Sequence, residues 1–421
     1  MMMTPNFSNA RYKITRCGEC DEIVSIAYPL PQNEHAECPR CHHTLSTTNR
    51  WSLHRCAMIA LSILILMPFA LGFPLLSIDL LGVKVDASAW EGIWKMATAG
   101  YEYTAFLVFI CAVLMPISFA VLVLMLWISK LLRLRPRNVL LFLSYIKPWV
   151  MFDVYLVALG VSMFKVREYA ALEIDVYLIA FVFTALLTTL LFIKINLHEL
   201  WNDFYPEQKH VHSHNEKIEL CSACDYSFPS SEIDRHHGYS ACPRCDSRID
   251  LPASIKLQRV WATLIAGIIM LFPANLLPIS GVYLTGALSE DTLMSGVISF
   301  VEMKSYFVAF VVFFASIFVP ISKILIMLYL LCAVHFKWRH SIKWQMRLLH
   351  IVHFVGRWSM LDLFVLALMM SLVTRGQIIN FTVGPAAFYF GAAVFLTMIS
   401  TSQFDSRFIW KIYERTTKTT E

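Results

Sequence analysis

The chain has 421 residues, of which 57% are hydrophobic and only 15% charged, with a formal net charge of +5. An ordinary soluble domain carries nearer a quarter charged residues, so the composition excludes one. The small positive balance gives no reason to expect a nucleic-acid partner, because the basic residues cluster beside apolar stretches where membrane orientation explains them.

In chain order, a polar segment containing Cys17, Cys20, Cys38 and Cys41 comes first. No secretory signal is expected ahead of it, since the first strongly apolar run begins only near Leu53. Apolar runs of about 20 residues, the length a helix needs to cross a bilayer, predict spans over 53–78, 105–129, 148–166, 174–195, 258–283, 305–334, 351–374 and 382–402. Lys130, Arg133, Arg135, Arg137 and Lys147 follow the second span with no acid among them, and Lys337, Arg339, Lys343 and Arg347 repeat this after the sixth. Asp79, Asp86, Glu91, Glu290 and Asp291 mark the opposite side. A membrane protein keeps its basic loops inside, so both basic loops, both termini and both cysteine groups are expected in the cytoplasm.

The second quartet, Cys221, Cys224, Cys242 and Cys245, repeats the first at a constant offset of 204. So do Pro74 and Pro278, Gly92 and Gly296, and the Pro116-Ile117-Ser118 and Pro320-Ile321-Ser322 triplets. After a five-residue insertion the offset is 209, pairing Trp149 with Trp358, Asp153 with Asp362, Ser162 with Ser371 and Trp201 with Trp410. The chain therefore reads as a mainly α polytopic membrane protein of two tandem repeats, each a cytosolic zinc-ribbon or rubredoxin-like knuckle followed by four membrane helices. An even number of spans per repeat gives both the same orientation. The expected units are a ribbon over 1–50, a membrane unit over 51–202, a linker and second ribbon over 203–253, and a second membrane unit with its tail over 254–421.

Two C-x-x-C turns about 20 residues apart are metal-site spacing in a reducing compartment. Four thiolates suit tetrahedral zinc, with iron the alternative, and close the shell against catalysis. Two structural ions are expected. A redox or metal-sensing role is the lesser reading of the quartets. His35, His42, His43, His236 and His237 are expected to be surface residues, and the His210, His212 and His214 run to be solvated linker.

Ionisable residues inside a span are costly and suggest function. Lys323 stands in span six, where the first repeat has Phe119; Asp362 and Ser359 belong to span seven and Thr397 to span eight. A Lys323–Asp362 pair is expected there, as packing or as a transport site. Asp153 stands alone at the equivalent depth in the first half, with Glu168 and Asp175 nearer the periplasmic surface. The Pro-Ile-Ser triplets predict kinks. No phosphate-binding loop, H-E-x-x-H or G-x-S-x-G element occurs, so neither nucleotide binding by that route nor enzymatic catalysis is expected.

The paired ribbons with their C-P-R-C turns, Leu276–Ser280 (L-L-P-I-S), Gly356–Asp362 (G-R-W-S-M-L-D) and Gly384–Gly391 (G-P-A-A-F-Y-F-G) together resemble the paraquat-inducible protein A family over essentially the whole chain. The resemblance implies a bacterial inner-membrane protein that passes phospholipid to or from a periplasm-spanning MCE-domain tunnel protein (LetB-like). It also implies a polar cluster of Lys323, Ser359, Asp362 and Thr397, with Glu168 a candidate contribution from the first half. Proton movement is a candidate driving force, and a scaffold that gates the tunnel without handling lipid is the rival reading.

Overall fold

The computed structural model describes residues 11–28, 34–47, 51–80, 83–167, 171–206, 218–236, 239–249, 252–284, 287–302, 304–338, 341–373 and 379–410. Glu168, His210, His212, His214 and His237 lie outside them, as does the side chain of His236.

The first ribbon is two antiparallel hairpins, β1 (Arg11–Arg16) with β2 (Ile23–Tyr28) and β3 (His35–Glu37) with β4 (Thr44–Thr47). Helix α1 (Leu53–Gly72) starts at Ser52, whose side chain accepts the Arg55 N–H, a standard N-cap contact. The hairpin β5 (Leu76–Leu80) and β6 (Val83–Ala87) leads into the short α2 (Ala89–Thr98). Helices α3 (Glu102–Phe109) and α4 (Met115–Leu131) form one span, and α5 (Arg137–Ile146) and α6 (Phe152–Arg167) the next. Strand β7 (Ala171–Ile174) returns to pair with β5, and α7 (Tyr177–Lys194) and α8 (Leu197–Phe204) close the repeat.

The second ribbon pairs β8 (Ile218–Leu220) with β9 (Ser227–Pro229) and β10 (Asp234–His236) with β11 (Tyr239–Ala241). The second repeat follows the same order. It has α9 (Ala253–Leu276), β12 (Ser280–Leu284), β13 (Ala287–Asp291), α10 (Leu293–Glu302), α11 (Tyr306–Phe313), α12 (Val319–Phe336), α13 (Ile342–Val355), α14 (Leu361–Val373), β14 (Ile379–Val383) and α15 (Ala386–Gln403). Its sheet has the order β13-β12-β14, matching β6-β5-β7.

Among the described residues, eight helical segments are long and apolar enough to span a bilayer, so the expected fold class and duplication stand. The predicted first and fifth spans run too far. They end at Gly72 and Leu276, because Pro74 and Pro278 disfavour helix in the residue before them, and the apolar residues beyond enter β5 and β12. Spans two and six do not simply kink. Each carries a π turn, Ile110–Leu114 and Phe314–Phe318, just before its proline. A helical proline strikes the carbonyl four residues back; here those residues, Ala112 and Ser316, lie in the widened turn.

Helix α14 is the axis of the packing. Every residue from 361 to 371 is buried, as befits a helix apolar on all sides, and it packs against α6, α2 and α3. Helix α2 is stapled to it. Lys95 Nζ donates to Ser371 O at 3.2 Å, and Ser371 Oγ donates to Ser88 O at 3.0 Å. Gly92 permits this: a Cβ there would lie 2.2 Å from Ala367 O. The equivalent Gly296 of α10 meets nothing within 4 Å, so the two repeats are not packed alike.

The ribbons cross over. Ribbon one lies on the second repeat, with the Arg40 guanidinium 4.5 Å from the Trp410 ring centre and Ser406 Oγ donating to Glu19 O at 3.1 Å. Ribbon two lies on the first repeat, with Arg244 5.6 Å from the Trp201 ring centre and donating to Asn202 Oδ1 at 2.9 Å. The two contacts use repeat-equivalent residues. Each knuckle thus packs on the four-helix unit that does not follow it in sequence, and the N-terminal ribbon closes the chain onto its C-terminal half. Arg16 ties ribbon to ribbon by donating to Ile218 O at 2.7 Å.

Candidate functional site

Four cysteine pairs build the knuckles in one way. In each C-x-x-C turn the residue after the second cysteine has positive φ: Asp21 (65°), His42 (59°), Asp225 (53°) and Asp246 (62°). Their N–H groups donate to Cys17 O, Cys38 O, Cys221 O and Cys242 O at 2.8 to 3.0 Å. Asp and His are among the few non-glycine types enriched in this region, which covers all four.

Within each quartet all four sulfurs lie within 4.8 Å of one another. The closest pairs are Cys17–Cys41 at 3.6 Å, Cys20–Cys38 at 3.5 Å, Cys221–Cys245 at 3.4 Å and Cys224–Cys242 at 3.8 Å. A disulfide requires about 2.05 Å. A tetrahedral metal with bonds of about 2.3 Å places its sulfurs roughly 3.8 Å apart, so both groups can hold a metal ion. Their chemistry agrees. Hydrogen bonding from Cys20 draws the Cys17 thiol down to about 5, while burial pushes Cys41 up to about 12. Four packed thiols do not ionise together without a cation among them. His35, His42 and His43 are exposed, with His35 Nε2 3.1 Å from Glu37, and none belongs to a quartet.

The membrane cluster is built where α12, α15 and the 3-10 segment Gly356–Met360 before α14 pack together. Lys323, Ser359, Asp362 and Thr397 are all buried. The end of Lys323 lies over Gly356, where a Cβ would sit 3.4 Å from both Cε and Nζ. Its Nζ makes no hydrogen bond among the described residues, and the expected Lys323–Asp362 ion pair is not formed. Ser359 Oγ donates to Gly356 O at 2.8 Å and Thr397 Oγ1 to Val394 O at 2.9 Å. Thr397 also presses on α9, since a Cβ at Gly267 would be 2.9 Å from its methyl carbon. In the first repeat the lysine sits at the other position: Phe119 stands in place of Lys323, and Lys147 in place of Gly356. Lys147 Nζ has an acceptor, Ile195 O at 2.9 Å.

Asp153 does not stand alone. Its Oδ2 lies 3.7 Å from Arg357 Nη1 of the other repeat, and the same guanidinium stands 4.9 Å from the Phe192 ring centre. Arg357 has proline (Pro148) as its repeat equivalent, so comparing the halves gave no signal for it. Ser316 is the other residue sequence reading missed. It is buried in the π turn, with its Oγ making no hydrogen bond among the described residues; a serine four residues before Pro320 was the available clue.

These features define a duplicated multi-pass membrane protein with two tetrathiolate ribbons and a buried polar cluster within its second repeat. Residues 53–205 and 257–414 match the profile of the paraquat-inducible protein A family, and the chain belongs to that family. It is 72% identical to a probable intermembrane transport protein of Haemophilus influenzae over 96% of this chain and 97% of that one. It is 43% identical to lipophilic envelope-spanning tunnel protein A of Escherichia coli, covering 95% and 91% of the two chains. Identity to intermembrane transport protein PqiA of Escherichia coli is 28%, covering 94% of each. No solved structure matches the chain.

Proposed function

We propose that this chain is the inner-membrane subunit of an MCE-type lipid transport system, passing phospholipid between the inner membrane and a periplasm-spanning MCE tunnel protein. The relatives' names, two of intermembrane transport proteins and one of an envelope-spanning tunnel protein, support this reading. The observation that carries it is Lys323, buried within the second repeat with no hydrogen-bond partner among the described residues, where a merely structural lysine would need one.

In this reading residues 1–50 and 203–253 are cytoplasmic units, each holding a structural zinc ion, and brace the membrane units 51–202 and 254–421. Both termini are cytoplasmic. The sheets β6-β5-β7 and β13-β12-β14, at the opposite ends of the helices from the ribbons, then face the periplasm and the MCE partner. Lys323, Asp362, Ser359 and Thr397 form the transport cluster, with Asp153 and Glu168 the first repeat's contribution. Proton exchange at Lys323 is the driving step. The chain performs no covalent catalysis.

The test is phospholipid transfer between the two membranes in cells carrying Lys323→Ala or Asp362→Asn in place of the native chain. Transfer falling at least about tenfold, with the protein still inserted and metal-loaded, supports the cluster's role. Unchanged transfer removes it and leaves a scaffold that anchors the tunnel.

A further inference from the structure

A cavity of about 680 Å³ lies between the two ribbons and the ribbon-side ends of α9, α13 and α15, a volume typical of small-molecule sites. Its two walls differ in charge. The helix wall carries Lys256, Arg259, His350 and His353; the ribbon wall carries Glu19 and Asp225, from the first and second ribbon respectively. Arg407 and Asp405, also in the lining, neutralise each other at 2.9 Å. The side chains of Lys256, Arg259 and Glu19 make no ion pair among the described residues.

A smaller cavity of the first half shares part of the repeat-equivalent lining, at Ser52, Lys194, Ile195 and Asn196, but takes in no ribbon residue. It measures about 230 Å³ and has Ser52 where the second half has Lys256. Its charges are already matched, with Lys130 Nζ 2.7 Å from Asp203 Oδ2 and Lys194 over the Trp51 ring at 5.4 Å. The larger cavity sets Lys256 and Arg259 opposite Glu19 and Asp225, with no ion pair joining the two walls among the described residues. Lys256 and Arg259 occupy the first turns of a membrane span, the depth of phospholipid head groups.

We propose that the second cavity binds a zwitterionic phosphate head group, with the phosphate on Lys256 and Arg259 and an amine on Glu19 and Asp225. A phosphate diester bearing an ethanolamine satisfies both walls; a phosphoglycerol head satisfies only the first. Charge-assisted contacts of this kind are the stronger hydrogen bonds and favour phosphate on basic side chains. The choice of a membrane lipid over a free phosphate compound rests on the transport reading above.

The experiment uses the full metal-loaded chain in nanodiscs of equal phosphatidylethanolamine and phosphatidylglycerol, with a photoreactive amino acid at Ser402 and mass analysis of the lipid adducts. Ethanolamine adducts are expected to exceed glycerol adducts about fivefold, roughly 1 kcal/mol. Lys256→Gln with Arg259→Gln should lower all adducts about a hundredfold, the loss of two charged contacts. Glu19→Gln with Asp225→Asn should bring the ratio to one while total adducts and two metal ions per chain persist. A ratio of one in the unsubstituted chain overturns the proposal, as does displacement of every lipid adduct by millimolar inorganic phosphate. Adducts near Lys323 without adducts at Ser402 would sink this site and leave the transport reading standing.

Discussion

Gly92→Ala and Gly296→Ala are the same change at equivalent positions, and the structure gives them opposite signs. At position 92 the new Cβ would fall 2.2 Å from Ala367 O and 3.2 Å from Ser371 Cβ. The contact atom is backbone, so α2 must retreat by about 1 Å, an overpacking penalty of about 1–3 kcal/mol. The retreat also strains the Lys95–Ser371 and Ser371–Ser88 hydrogen bonds, worth about 1 kcal/mol each. The better helix propensity of alanine returns about 1 kcal/mol, leaving a net destabilisation of about 2–4 kcal/mol if both hydrogen bonds are lost. At position 296 there is nothing to strike, and the propensity gain of up to about 1 kcal/mol stands alone. Unfolding of the purified chain in mixed micelles, followed by far-ultraviolet circular dichroism against denaturing detergent, reads both variants on one scale. Equal shifts in the same direction would refute the asymmetric packing of α2 and α10.

Further outcomes follow from the ribbons and the inter-repeat ion pair. Metal analysis of the purified chain should give two ions, and Cys38→Ser should leave one while loosening the second repeat, because ribbon one rests on Trp410; limited proteolysis reporting damage in the first repeat instead would contradict the crossover. Arg244→Lys should destabilise by about 1–3 kcal/mol in thermal unfolding, since lysine loses both the stacking on Trp201 and the fixed fork that reaches Asn202. A double-mutant cycle on Asp153→Asn and Arg357→Gln should give a coupling of only about 0.2–1 kcal/mol, because the pair is partly exposed. A coupling near zero would mean that the two repeats are not joined there.

What the sequence disclosed was local or periodic. The quartets, the 204 and 209 offsets and the eight apolar runs each need only one stretch of chain, and the knuckles and spans followed. The sheets did not follow, because Leu75–Leu80 reads as a continuation of the first span and the third strand of that sheet, β7, arrives some ninety residues later. The crossover of the ribbons is decided by packing at the far end of the chain, where Trp410 completes a site for Arg40. Lys323 was legible as a charge in an apolar run, but its surroundings were not. The position expected to pair with it, Asp362, is buried nearby without forming that ion pair, and the space is set by Gly356, a residue with no chemistry of its own. Arg357 escaped because it serves the other repeat.

The most direct measurement is photocrosslinking in living cells, with a photoreactive amino acid placed beside Lys323 and Asp362 and phospholipid labelled with radioactive phosphate. Labelled adducts there, stronger than at outward-facing positions of the spans and absent from cytoplasmic control positions, are the expected result and put lipid inside the bundle. Adducts no stronger than at the outward-facing positions would contradict a lipid path through the polar cluster.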